Sequence, residues 1–274
     1  MSFKPLMVAA SETASTDLLA PDEAPPFELV EVGRPRDVVL ACDHASNRVP
    51  AALESLGLPA EHLEQHIAWD IGAGAVTRLL SEHLHANAVL GNYSRLVVDL
   101  NRDLEDPTAF PAISDGILIP ANLRLGREQR AQRARALFKP YHEALRRVTQ
   151  GRTSAARAPV FVAIHSFTPK LYGVRRPWHV GILWNKDPRL ALPLIAALRG
   201  RRELVVGDNE PYSGRHPADF TVDHHAEPAG LAHVGIEIRQ DLINDVSGQQ
   251  RWAALLGDAL EAVLAAPGLY RSIR

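Results

Sequence analysis

Cysteine is nearly absent from this chain: of its 274 residues only Cys42 carries a thiol. A lone cysteine excludes an internal disulfide framework and fits a reducing compartment, so a cytoplasmic protein is expected. Long apolar runs are missing as well, and none approaches the roughly 20 residues needed to cross a bilayer. The stretch Met1 to Ala10 has one Lys and no sustained apolar centre, so no secretory signal is read there. Charge of one sign is also lacking. Lys and Arg total 30 against 32 Asp and Glu, a formal charge of −2, with no long like-charge run. That balance argues against nucleic acid or an anionic membrane as the main partner. There is no internal repeat and no interior linker, and Gly72 and Gly74 do not complete a Gly-rich dinucleotide loop.

What remains is the composition of an ordinary globular protein, 46% apolar and 23% charged. Residues 1–34, with Pro5, Pro21, Pro25 and Pro26 and little periodicity, read as an arm lying over the domain. Residues 35–274 read as one domain. Apolar runs suited to strands fall at 37–43, 88–90, 95–100, 159–165, 179–185, 203–206 and 233–239. Helical spacing marks 73–85, 126–150 and 188–199, and a capping box, Ser247-x-x-Gln250, opens a last helix. Strands alternating with helices predict an α/β domain with a largely parallel, mixed sheet.

The run Val38 to Cys42 passes directly into Asp43, His44, Ser46, Asn47 and Arg48. Ligands of open α/β sheets bind beyond the carboxyl ends of the strands, so these side chains sit where chemistry is expected. Later apolar runs repeat the layout with Asn101 and Arg102, with His165 and with Glu237. His44 and His165 could supply two nitrogen ligands to a zinc-type ion, which in catalytic sites takes three protein ligands and keeps one position open. Asp70 is the first choice for the third. Asn47, three residues after His44, offers only a weakly ligating amide, and Asp43 would point to the other side of a regular strand. Glu237, between Ile236 and Ile238, is either a general base or a salt-bridge partner of Arg239. Arg102 could grip a carboxylate in two parallel hydrogen bonds or pair with Asp99, Asp103 or Glu105. Arg95 and Arg239 are further candidates for an anionic substrate. Cys42 with His44 suggests a thiol nucleophile, although a strand cysteine is usually core. His224 and His225 read as a solvated or capping pair in a polar loop, and His83 and His85 as the end of a helix.

With these residues assembled, the chain resembles the N-formylglutamate amidohydrolase family. The matching pieces are Asp43 to Pro50, Trp69-Asp70, the run from Tyr93 to Arg102, His165-Ser166 and Gly235 to Gln240. The family looks distantly similar to the zinc carboxypeptidases and aspartoacylases. The resemblance implies a phosphorylase/hydrolase-like three-layer α/β/α sandwich with a mixed, largely parallel sheet. It implies a hydrolase of linear amide C–N bonds that uses one divalent metal, zinc in the relatives, with His44 and His165 on the metal and Asp70 as third ligand. Asn101 and Arg102 would bind the substrate carboxylate, helped by Arg95, Arg239 and Asn47. Glu237 would be the base that activates water. Where the relatives carry Glu three residues after the first His, this chain has Asn47. The expected substrate is a small anionic N-acyl amino acid, with N-formyl-L-glutamate as reference; a homo-oligomer is left open. The rival expectation is a non-catalytic small-anion-binding protein on the same scaffold.

Overall fold

A computed structural model describes residues 18–153, 157–215 and 219–273; the first half of the expected arm, residues 1–17, lies outside them. The centre is a 7-stranded sheet. Its strands are β1 (Phe27–Val30), β2 (Val38–Cys42), β3 (Asn87–Gly91), β4 (Val160–Phe167), β5 (Val180–Leu183), β6 (Val206–Asp208) and β7 (His233–Arg239). They lie in the order β1-β3-β2-β4-β7-β5-β6. The pairs β2–β3, β2–β4, β4–β7 and β5–β6 are parallel, whereas β1–β3 and β7–β5 are antiparallel.

Alternation within the strands splits the core in two. Val38, Leu40, Val162, Ile164, Val234 and Ile236 turn to one face. There they meet α1 (Ala73–Leu84), α4 (Pro188–Arg199) and α6 (Val246–Leu264) through Leu80, Leu194, Trp252 and Leu256. Val39, Ala41, Val89, Phe161 and Ala163 turn to the other face. That face is covered by α2 (Arg127–Arg133), α3 (Lys139–Gln150), the turn between them and the short α5 (Phe220–His225), through Leu137 of the turn, Tyr141, Leu145 and Val222. The result is a three-layer α/β/α sandwich, as the resemblance implied. Each fully buried Leu, Ile or Trp here contributes about 1.5–3 kcal/mol. A widened turn, Ala134–Phe138, joins α2 to α3 just ahead of Pro140; proline has no N–H for the ladder and its ring crowds the preceding turn.

Three local expectations are corrected. Residues 27–30 of the expected arm form the antiparallel edge strand β1, a short half-buried segment that periodicity does not reveal. The run 95–100 is buried but not a strand. Its N–H groups of Arg95, Val97 and Asp99 bond to carbonyls of nearby turns and loops. Two of its carbonyls are met by side chains: Asn122 donates to that of Leu96 at 2.8 Å and Arg133 to that of Val97 at 3.0 Å. The last helix is capped by Asp245, whose carboxylate accepts from Gly248 N at 2.7 Å, so the box at Ser247 is not the cap. No helix among the described residues is long and apolar enough to cross a membrane.

Candidate active site

The carboxyl ends of β2, β4 and β7 bring polar side chains onto one face. Ala41 pairs with Ala163, and Glu237 with His165. Carrying that register one step past β2 sets Asp43 beside His165. Their neighbours in sequence, Cys42, Ile164, Ile236 and Ile238, alternate into the apolar core on the opposite face.

Asp70 comes from the turn before α1 and is pinned to the end of β2, because its N–H donates to the His44 carbonyl at 3.0 Å. The turn continues through Gly72 at φ +81°, where a Cβ would stand 2.1 Å from the Ile243 carbonyl oxygen, so only glycine fits. Ser166 Oγ donates to the Ile71 carbonyl at 2.9 Å and ties the same turn to β4. Arg95 is held in turn by its N–H on the Ala68 carbonyl at 3.1 Å.

These constraints gather an imidazole–carboxylate–imidazole group. Asp70 Oδ2 lies 3.4 Å from His44 Nδ1 and 2.9 Å from His165 Nδ1. Ligand atoms of His44, Asp70 and His165 all fall within 4.8 Å of one another, the one such group of His, Cys, Asp or Glu among the described residues. Each imidazole faces a second buried acid with its other nitrogen. His44 Nε2 is 2.7 Å from Asp99 Oδ1, and His165 Nε2 is 3.3 Å from Asp43 Oδ2. Carboxylates behind imidazoles are the usual support of histidine metal ligands, since they fix which nitrogen keeps its lone pair. The donor set and its support therefore fit a zinc-type ion. Arg95 donates to Asp70 Oδ1 at 2.5 Å and touches His44 Nδ1.

Electrostatics follow the packing. Burial alone would push the Asp70 carboxyl up, but Arg95, His44 and His165 hold it well below the usual range. Burial would likewise lower His165, yet Asp43 and Asp70 raise it well above the usual imidazole value. Glu237 has the opposite fate. Its burial outweighs the pull of His165, and with Asp70 adding repulsion the carboxyl is pushed up to about 7. Its Oε2 is buried and has no hydrogen-bond partner among the described residues. A carboxyl of that pKa can take up and release a proton near neutrality.

A cavity of about 350 Å³ opens over this group, lined also by Arg95, Asn101, Arg102, Tyr212, Asp219 and Glu237. A larger groove of about 530 Å³ runs past Leu104, Phe110, Arg130 and Lys139, but it holds no comparable cluster of acids and imidazoles. Chemistry rather than size selects the smaller one.

The structure thus brings His44, Asp70, His165, Glu237, Arg95, Asn101 and Arg102 to one cavity. Asn101 is anchored there, its Oδ1 accepting from Thr221 N at 2.8 Å, and Arg102 donates to the Asn101 carbonyl at 2.9 Å. Two expected site residues lie elsewhere. Asn47 donates to the Leu63 carbonyl at 3.0 Å and to Glu64 at 3.1 Å, so its amide braces a neighbouring turn. Arg239 pairs with Asp241 at 2.7 Å and with the Trp178 carbonyl at 3.3 Å, and it is neither in the cavity nor bonded to Glu237. Cys42 is core: burial pushes its thiol up to about 12, which removes it as a nucleophile. His225 is buried in α5 rather than in a solvated loop. Asp43, expected to point to the other side of the strand, instead faces His165, because the chain leaves the regular strand after Cys42. Asp99, expected only as a partner of Arg102, backs His44. Tyr212 and Asp219 were missed. Asp43 and Asp99 each sit within a motif quoted above, and that nearness was the available signal; nothing in the sequence marks Tyr212 or Asp219.

Fold and site together define a three-layer α/β protein with a buried histidine–aspartate group whose donors suit a metal ion, and the comparisons give its class, an amide hydrolase. The family model for N-formylglutamate amidohydrolase matches residues 36–244. An N-formylglutamate deformylase from Pseudomonas aeruginosa is 27% identical over 203 residues, 67% of this chain and 74% of that protein. A crystal structure of an Agrobacterium tumefaciens gene product is 39% identical with a TM-score of 0.87, covering 90% of this chain and 98% of the other. The N-formylglutamate amidohydrolase of Ralstonia eutropha shares the fold, with a TM-score of 0.69 at 18% identity, covering 88% and 98% of the two chains. This chain belongs to the N-formylglutamate amidohydrolase family and is a hydrolase of amide bonds.

Proposed function

We propose that this protein hydrolyses the amide of small anionic N-acyl amino acids in the cytoplasm, with N-formyl-L-glutamate as reference substrate and one divalent ion, zinc by its donor set. The observation that carries this is the His44–Asp70–His165 group sharing a cavity with Glu237, whose Oε2 has no hydrogen-bond partner among the described residues. When bound, the ion supplies Lewis acidity and lowers the pKa of water in its coordination sphere.

The chain's own residues do the rest. Glu237 takes one proton as the water oxygen bonds to the formyl carbon. It then delivers that proton to the departing nitrogen as the C–N bond breaks, which leaves formate and a free amino acid. Arg102, at the cavity wall, holds the substrate's α-carboxylate, and Asn101 keeps that wall in place through Thr221. Arg95 is the cation available to the developing oxyanion or to a second carboxylate. Arg239 and Asn47 have no part in binding, since their partners lie outside the cavity. A non-catalytic anion binder would follow if Asn47, standing where relatives carry Glu, left an ion without a third ligand; Asp70, which reaches both imidazoles, supports the metal-binding reading instead.

Metal analysis joined to an assay over a series of N-acyl amino acids, with and without chelator, tests this reading. Turnover that tracks bound metal is expected. Metal-replete protein that turns over none of the series would overturn it.

A further inference from the structure

We propose that Asp43, held by Tyr141 and Thr221, is a positioning residue for His165. It keeps the proton of that imidazole on Nε2 and so leaves Nδ1 for the ion. The inference rests on the metal-dependent reading above, and it concerns how this chain builds one of the ligands.

Asp43 is 0% exposed, as are Tyr141 and Thr221. Tyr141 Oη, from α3, donates to Asp43 Oδ1 at 2.7 Å. Thr221 Oγ1, from α5, donates to the same oxygen at 2.6 Å. Both donors thus converge on one carboxylate oxygen and leave Oδ2 to face His165 Nε2 at 3.3 Å. Neither Oδ2 nor Nε2 makes a well-formed hydrogen bond with any described residue, and the ion-pair contact between them is what each has. A buried carboxylate oxygen is costly to leave without a donor, and the donor within reach is the imidazole. The carboxylate accepts only, so Nε2 must carry a proton to satisfy it. Nδ1 faces the acceptor-only Asp70 Oδ2 at 2.9 Å, so without an ion it carries a proton as well. That proton, rather than the one Asp43 holds on Nε2, is the one an ion would displace.

The His44 side is built differently. Asp99 Oδ1 accepts from His44 Nε2 at 2.7 Å and from the backbone N–H of Asn101 at 2.8 Å, a support local in sequence. Asp43 is instead held by hydroxyls from two helices packed on the sheet. The tautomer of His165 therefore depends on the docking of α3 and α5.

Asp43→Asn keeps the shape and an oxygen for Tyr141 and Thr221, but turns an NH2 towards His165. The imidazole would then accept at Nε2 and carry its proton on Nδ1. Competition with a chromophoric chelator should show zinc affinity falling about ten- to hundredfold. In metal-free protein, 15N-edited NMR should show a His165 Nε2–H proton in the wild type and its loss in Asp43→Asn. Unchanged zinc affinity together with a retained Nε2–H would overturn the proposal. If Asp43→Asn does not fold, Tyr141→Phe serves, and an affinity loss of about two- to tenfold, the worth of one hydrogen bond, is expected; no loss would overturn it. Should the wild type bind no divalent ion, the metal-dependent reading fails by itself. The Nε2 proton then decides: its presence supports the assignment of Asp43, and its absence overturns it.

Discussion

Two pairs of buried histidines sit close together in this fold and behave in opposite ways. His44 and His165 are each 3% exposed, and His142 and His225 are 7% and 8% exposed, so burial is nearly the same. The first pair is packed against acids. Asp70 lies between the imidazoles, with Asp99 and Asp43 behind them, and both imidazoles are raised above their ordinary pKa. The second pair is packed against itself: the rings stack with centroids 5.2 Å apart, and His142 Nδ1 is 2.9 Å from His225 Nε2. His142 Nε2 donates to the Leu100 carbonyl at 2.9 Å. The neutral ring therefore accepts at Nδ1, and the proton between the rings belongs to His225. Burial, aided by the neighbouring imidazoles, lowers His142 to about 4 and His225 to about 3. A buried imidazole takes its charge from its partners, so one pair is fit for chemistry beside a cation and the other is a neutral packing element.

The largest expected effect removes the carboxyl that faces the acid-flanked pair. Glu237→Gln should lower kcat on N-formyl-L-glutamate about a hundred- to ten-thousandfold, the usual worth of a general base, while KM stays near its original value. Steady-state kinetics at saturating metal checks this, and a variant with undiminished kcat would remove Glu237 from the chemistry. Next, Asp99→Asn takes the support from His44 and should lower zinc affinity about ten- to hundredfold, read by chelator competition.

The neutral pair is tested through pH. An unfolded histidine binds its proton near pH 6.5, but these fold with the proton released, so their contribution is complete above about 6.5 and is lost as pH falls towards 4 and 3. At pH 5 each should destabilise the fold by roughly 2 kcal/mol relative to pH 7. Glu237 and Asp223, raised to about 7 and about 6, act in the opposite sense over the same range. The decisive quantity is therefore the difference in urea midpoints between wild type and His142→Phe, whose acid sensitivity should be smaller. Equal slopes would erase the contrast between the pairs. The smallest effect belongs to Cys42→Ala, expected to leave kcat/KM within about twofold and to cost only stability, on the order of 1 kcal/mol, through lost packing. A large loss of turnover would restore the thiol as a nucleophile.

How far the fold could be read depended on how its segments hide their backbone. The runs that became β2, β4 and β7 follow the strand periodicity, because a strand buried on both faces must be continuously apolar. The stretch from Arg95 to Leu100 is as apolar and as buried, yet irregular. Two of its carbonyls are met by Asn122 and Arg133, and no apolar pattern announces such side-chain rescue. Edge strand β1 escaped notice for the reverse reason: with one neighbour and half-buried side chains, it needs little apolar patterning.

By itself the sequence determined the layered α/β architecture, the strand ends that carry His44, His165 and Glu237, and the family, since these depend on residue type and local spacing. Tertiary structure decided which of the remaining polar groups take part. Asp70 enters because its N–H docks on the His44 carbonyl, while Asn47 and Arg239 are drawn off by nearer partners. Asp43 turns towards His165 because hydroxyls from two distant helices hold its other oxygen. Hydrogen bonds between residues far apart in the chain set side-chain direction, and nothing in local sequence encodes that direction.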